Sequence, residues 1–184
     1  MKLVILDRDG VINEDSEEFI KSVAEWKPLP GSLEAIAQLC QAGYQVYIAS
    51  NQSGIARGLL DFDALFAIQD RLQRAVGELG GRIAGFEFAP DHPDDPSEMR
   101  KPGPGMLKDL AKRLGVGLEG VSFVGDSEGD ILAARAAGAR PILVLTGNGG
   151  RTKTKQSAKN VPVYNNLLEF VRTVIEQDQR PHTA

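Results

Sequence analysis

Asp7, Asp9, Ser50, Lys101, Asp126 and Asp130 are the residues of this 184-residue chain whose types and spacing best suit chemistry. Each lies at or just beyond a short apolar run. The first run ends in Leu6-Asp7-Arg8-Asp9-Gly10 and the second in Ala49-Ser50-Asn51-Gln52-Ser53-Gly54. A later loop closes on Arg100-Lys101-Pro102, and a further run ends in Val124-Gly125-Asp126-Ser127-Glu128-Gly129-Asp130. Gathered in one crevice, these ends supply four carboxylates, a hydroxyl, an ammonium and a guanidinium. Carboxylates that close repel one another unless a cation or proton intervenes. A ligand set made only of oxygen selects a hard divalent cation, and Mg2+ is the usual one beside phosphate. A carboxylate can also attack as a nucleophile, dividing one hard displacement into two steps. Charge developing on phosphoryl oxygens needs positioned donors, which Ser50 and Lys101 supply with the metal opposite. The chemistry expected of the set is phosphoryl transfer.

A parallel sheet would bring these residues together. Strand candidates are Lys2–Leu6, Tyr44–Ala49, Ile83–Phe88, Val121–Val124, Pro141–Leu145 and Val161–Tyr164. They are short and almost continuously apolar, as strands covered on both faces should be. Helical stripes separate them: Leu33, Ile36, Ala37 and Cys40; Leu65, Ile68, Leu72, Val76 and Leu79, with Asp61 or Asp63 as N-cap; Met106 to Leu114; Ile131 to Ala137; and Leu167 to Ile175. The alternation predicts an α/β fold, one doubly wound parallel sheet of Rossmann-like type, spanning residues 1–176 without a cap domain. Residues 177–184 are expected to fray. Ligands of such sheets bind beyond the carboxyl ends of the strands, where the six residues above fall.

Composition narrows the classes. With 42% hydrophobic and 25% charged residues the chain is an ordinary globular one. A net charge of -4 and the lack of a basic stripe argue against nucleic acid or anionic membrane as partner. A single cysteine, Cys40, excludes an internal disulfide and a cysteine-based zinc site. No stretch reaches the roughly 20 apolar residues of a membrane span, and the N-terminus has no signal-peptide pattern, so a cytoplasmic monomer is expected.

Asp7-x-Asp9-Gly10, Ser50, Lys101 and Gly125-Asp126-x-x-x-Asp130 resemble, in order and spacing, the four motifs of the haloacid dehalogenase-like phosphatases. The resemblance implies Asp7 as nucleophile and metal ligand, and Asp9 as general acid and base with its carbonyl on the metal. It implies Asp126 as a further ligand and Asp130 as an outer partner of the metal or a ligand through water. An acid at position 9 is the phosphatase pattern. More finely, Leu6-Asp-Arg-Asp-Gly-Val-Ile-Asn13, Ser50-Asn-Gln-Ser-Gly-Ile-Ala-Arg-Gly58 and Arg100-Lys-Pro-x-Pro-Gly-Met106 are similar to the heptose-bisphosphate 7-phosphatase branch. That branch serves lipopolysaccharide and surface-glycan heptose synthesis, and histidinol-phosphate phosphatases share much of the pattern. The resemblance implies a small phosphorylated sugar as substrate, with Asn51, Gln52, Ser53, Arg57 and Arg100 in its pocket and Mg2+ as cofactor.

The chain departs from that branch where a zinc loop is expected. Ala89-Pro90-Asp91-His92 and Ser97-Glu98-Met99 stand where the branch carries Cys-x-His and Cys-x-Cys, so no structural zinc is expected. An uncapped site also raises a phosphatase of nucleic-acid 3′ ends, which the acidic balance disfavours. A phospho-receiver would place its phosphorylated Asp after the third strand, which ends in Phe88-Ala89-Pro90. Gly147-Asn-Gly-Gly150 lacks the context of a dinucleotide loop. A silent scaffold need not keep Asp7, Asp9, Ser50, Lys101 and Asp126 together.

Overall fold

The computed structural model describes residues 1–180. Lys2–Leu6 forms β1. Its Val4 and Leu6 enter the core on one side of the sheet, and Leu3 and Ile5 enter on the other. That alternation is what a strand buried on both faces produces. Five more strands follow: β2 (Tyr44–Asn51), β3 (Ile83–Ala89), β4 (Ser122–Gly125), β5 (Arg140–Val144) and β6 (Val163–Tyr164). All neighbours pair in parallel, in the order β3-β2-β1-β4-β5-β6.

Helices α1 (Ser32–Gln41), α2 (Phe62–Glu78), α3 (Gly105–Leu114), α4 (Glu128–Ala137), α5 (Gly149–Thr152) and α6 (Leu167–Gln179) complete the fold. Ile36 and Leu39 of α1, Leu65, Ile68 and Leu72 of α2, and Phe170 and Val171 of α6 pack on the Val4 face. Met106, Leu107 and Leu110 of α3 and Ala133 and Ala134 of α4 cover the Ile5 face. Each fully buried Ile or Leu contributes about 1.5–3 kcal/mol. Local chemistry starts the helices where the cores need them. Asp61 caps α2 by accepting from the Ala64 amide at 2.7 Å, and Ser127 with Asp130 forms a capping box on α4.

The differences from the sequence expectation have local causes. Strand β2 runs two residues past Ala49 because Ser50 and Asn51 pair with Phe88 and Ala89 of β3. Strand β6 is cut to two residues, since Pro162 lacks the N–H a ladder needs. Helix α6 continues through Gln179, beyond the Gln177 at which fraying was expected. Asp178 anchors it by accepting from the Tyr44 hydroxyl at 2.6 Å and pairing with Lys2 Nζ at 2.8 Å. The rest of the expected tail, 181–184, lies outside the described residues. Helix α5 was not foreseen.

After β1 the chain winds outward through β2 and β3, and after β4 it winds the other way through β5 and β6. The reversal opens a crevice between β1 and β4 at their carboxyl ends. Asp7 follows β1 and Asp126 follows β4, with the Asp7 amide donating to the Val124 carbonyl at 2.8 Å. The connections over this edge, 7–31, 52–61 and 90–104, contain no helix and no strand beyond isolated bridges, so nothing the size of a cap domain covers the crevice among the described residues.

Candidate active site

The crevice is a cleft of about 180 Å³ lined by Asp7, Asp9, Ser50, Asn51, Gln52, Lys101 and Asp126, with Asp15, Ser16, Phe19, Ile20, Ser127 and Asn148 completing the wall. Lys101 is its electrostatic centre. Only 5% exposed, its ammonium lies 2.8 Å from Asp7 Oδ1 and 2.7 Å from Asp130 Oδ1, and it donates to the Ala49 carbonyl at 2.9 Å. These partners use all three of its protons, so Lys101 acts on its surroundings as a fixed charge. Burial opposes that charge, but the Asp130 and Asp7 carboxylates outweigh it and hold the ammonium above its ordinary range.

Asp7 also accepts from the Arg8 amide at 2.8 Å through Oδ1. No hydrogen bond to Oδ2 is seen among the described residues. Burial, and then the charge of Asp130, push its carboxyl well above the usual carboxylate range despite Lys101. Asp126 is raised to about 7, by burial first and Asp130 second, with the Asn148 amide opposing. That amide donates to Asp126 Oδ2 at 2.6 Å. Ser50 Oγ accepts from Gln52 Nε2 at 2.7 Å, which leaves the hydroxyl proton available to a ligand.

Ligand oxygens of Asp7, Asp126 and Asp130 lie within 4.8 Å of one another. Three ionised carboxylates against one ammonium leave two uncompensated negative charges in a buried site. An all-oxygen pocket that is doubly negative when its three carboxyls are ionised fits a divalent hard cation. Glycines make the approach possible. A Cβ on Gly10 (φ +81°) or Gly147 (φ +54°) would fall 2.2 Å from Asp126 Oδ2. Asp130 also serves the fold, because its Oδ2 accepts from the Ser127 amide and hydroxyl at 2.9 and 2.6 Å and so locks the start of α4.

Asp9 is bound on every side. Arg8 donates from Nε to Oδ1 at 3.0 Å and from Nη2 to Oδ2 at 2.9 Å, Asn13 donates to Oδ1 at 2.8 Å, and Gln52 to Oδ2 at 3.0 Å. The Arg8 carbonyl meanwhile accepts from the amides of Val11, Ile12 and Asn13, which tightens the turn carrying Asp7 and Asp9.

The expected pocket residues divide. The Gln52 side chain lines the cleft but is spent on Asp9, Ser50 and Arg8. The Asn51 side chain clasps the Lys101 backbone, donating to its carbonyl and accepting from its amide, both at 3.0 Å. Ser53 is buried beside it. Arg57 and Arg100 are not part of the cleft wall. Arg57 is exposed, with its guanidinium 5.6 Å from the centroid of the cleft residue Phe19. Arg100 is half-buried, donates to the Asp91 carbonyl at 3.2 Å, and is lowered by burial and by the charge of Arg57.

Sequence reasoning missed Arg8, Asn13, Trp26 and Asn148. Trp26 Nε1 donates to Asn13 Oδ1 at 3.1 Å, so it steadies Asp9 from one residue further out. Asn148 bridges Asp126 to Asp15, donating to Asp15 Oδ2 at 3.0 Å. A signal for it was present. Gly147-Asn-Gly-Gly150 follows the fifth strand, and the strand-end rule that found the other residues applies there too.

Comparison with known proteins agrees with this fold. The "HAD-hyrolase-like" family model matches residues 98–170. The chain is 50% identical over 175 residues to a D-glycero-beta-D-manno-heptose-1,7-bisphosphate 7-phosphatase from Pseudomonas putida, covering 95% of this chain and 100% of that one. It is 49% identical to the enzyme of the same name from Bordetella bronchiseptica, covering 96% and 97%. The crystal structure of D,D-heptose 1,7-bisphosphate phosphatase from B. bronchiseptica, complexed with magnesium and phosphate, superposes with a TM-score of 0.94 at 47% identity, covering 96% of this chain and 99% of that one. The chain therefore belongs to the D-glycero-beta-D-manno-heptose-1,7-bisphosphate 7-phosphatase family of haloacid dehalogenase-like hydrolases.

Proposed function

We propose that the protein removes the 7-phosphate of D-glycero-beta-D-manno-heptose 1,7-bisphosphate in a Mg2+-dependent reaction through a phosphorylated Asp7. The observation that carries the substrate is identity near one half over the whole chain with phosphatases of that name. What supports the chemistry is the cleft itself. Asp7, Asp126 and Asp130 would hold Mg2+, as would the Asp9 carbonyl. When bound, the ion neutralises charge on the phosphoryl oxygens and on the facing carboxylates.

Asp7 attacks phosphorus in line with the leaving oxygen, its orientation fixed by the Arg8 amide and Lys101. Ser50 donates its free proton to a phosphoryl oxygen, and Lys101 offsets the charge that accumulates. Asp9 protonates the sugar oxygen as it leaves, then takes a proton from the water that hydrolyses the aspartyl phosphate. Inorganic phosphate departs and Asp7 is restored. Arg57 and Arg100, flanking the cleft, suit the remaining phosphate of a bisphosphate, since both carry planar donor forks.

No helix among the described residues is long and apolar enough to cross a membrane. The charged substrate does not cross one unaided, so we place the reaction in the cytoplasm. Turnover should be compared, with Mg2+, on the beta and alpha heptose 1,7-bisphosphates, histidinol phosphate, fructose 1,6-bisphosphate and a 3′-phosphorylated oligonucleotide. The beta heptose bisphosphate is expected to give the highest kcat/KM. A higher value for histidinol phosphate or the oligonucleotide would overturn the substrate assignment.

A further inference from the structure

Arg8 stands between the two catalytic aspartates, yet its side chain is only 2% exposed and does not line the cleft that Asp9 and Gln52 line. Its contacts run in one direction. Nε and Nη2 grip the two oxygens of Asp9, and Nη2 also donates to Gln52 Oε1 at 3.2 Å. Nη1 is buried without a hydrogen-bond partner. An unsatisfied buried guanidinium nitrogen is costly, and an apolar side chain of similar length would fill the space without that cost. Packing alone therefore does not account for an arginine at this position.

We propose that Arg8 is a positioning residue for the acid–base step: its bidentate grip, steadied by Asn13 and Trp26, aims the Asp9 carboxyl at the oxygen of the departing sugar. The inference rests on Asp9 being the acid and base. A bidentate guanidinium fixes both the place and the plane of a carboxyl group, which a single donor cannot do. The four donors on Asp9 fill its four lone-pair positions, so one must leave before the group can carry a proton to substrate. Gln52 is the donor able to leave. Its Nε2 is shared with Ser50 Oγ, the hydroxyl that meets the phosphoryl group, whereas Arg8 is walled off from the cleft. Gln52 lines the cleft and can yield its place on Asp9 to the arriving sugar oxygen, while Arg8 keeps its hold.

The test uses two leaving groups. A sugar alkoxide needs a proton to depart and p-nitrophenolate does not, so in kcat/KM, which reports the steps up to departure of the leaving group and not the later hydrolysis common to both substrates, misaiming Asp9 harms one substrate and spares the other. Asp9→Asn, Arg8→Met, Arg8→Lys and Asn13→Ala should be assayed with Mg2+ on heptose 1,7-bisphosphate and on p-nitrophenyl phosphate, with thermal melts alongside. Arg8→Met is expected to lower kcat/KM on the bisphosphate by about 10²-fold, the scale of a general acid's contribution. Its loss in kcat/KM on p-nitrophenyl phosphate should be only a few-fold, while kcat can fall on both substrates because the hydrolysis step is common to them. Arg8→Lys and Asn13→Ala should show smaller losses with the same selectivity, and they carry the comparison if Arg8→Met does not fold. Equal losses on both substrates in the folded Arg8 and Asn13 variants, beside a selective loss in Asp9→Asn, would overturn the role of Arg8 alone. Equal losses in kcat/KM in Asp9→Asn would overturn the reading of Asp9 as the acid, and this inference with it.

Discussion

Single residues set the electrostatic character of the site, where three buried carboxyls crowd one ammonium. Burial and the neighbouring charge of Asp130 raise Asp126 to about 7, and Asp7 is displaced in the same direction. In the unfolded chain an aspartate titrates near 4. Between about pH 4 and pH 7 the metal-free native state therefore binds more protons than the unfolded state, and its stability falls as pH rises through that window. A cation that replaces those protons recovers the loss and adds its own binding free energy. Melting of the metal-free protein should drop from about pH 5.5 to about pH 8, and saturating Mg2+ should raise it far more at the higher pH. Equal Mg2+ shifts at both values would show that these carboxyls are not where the ion binds. Asp130 is coupled to the same problem through Lys101, which explains why an acid at the start of α4 serves both as helix cap and as counter-charge.

At the scale of elements, the turns after β1 and β5 matter as much as the strands. Gly147 reaches Asp126 so closely that a Cβ there would lie 2.2 Å from Oδ2 and 2.6 Å from the Gly10 Cα. Gly43, after α1, has φ +84° but nothing within 4 Å of the same added atom. Both substitutions by alanine strain a left-handed residue and should cost about 1 kcal/mol for that reason. Only Gly147→Ala should also weaken Mg2+ binding and activity by pushing the β5 turn off Asp126. Mg2+ titration and urea unfolding of the two variants would separate these effects, and an unaltered Mg2+ affinity in Gly147→Ala would refute the packing argument. The strands and the five longer helices were legible because burial on two faces or on one stripe leaves a periodic record. The six residues at the strand ends were legible because chemistry at a sheet edge demands particular side chains. Asn13 and Trp26 were not, since an amide or indole that merely orients a carboxylate has no spacing of its own; Asn148, at the end of β5, was open to the same strand-end rule. Arg8 was hidden for another reason. A charged residue between two aspartates reads as a solvated turn, and only the fold shows its guanidinium drawn inward.

The whole molecule is one parallel sheet with its working parts on a single edge, gathered where the winding reverses. No element of cap size stands over that edge among the described residues, so selectivity falls to the loops 7–31, 52–61 and 90–104. Phe19, Arg57 and Arg100 come one from each of these loops, and on the proposed reading they shape the substrate mouth. The chemistry proposed beneath them turns on Asp7. Its partners, Lys101 and the Arg8 amide, leave one carboxylate oxygen without a hydrogen bond among the described residues, as a nucleophile requires. The most direct measurement is the Mg2+-dependent turnover of Asp7→Asn, a near-isosteric change that removes a buried charge and should leave the protein folded. No turnover above background is expected, with melting at least equal to that of the unaltered protein. Mg2+-dependent hydrolysis retained in a folded Asp7→Asn protein would contradict Asp7 as the nucleophile.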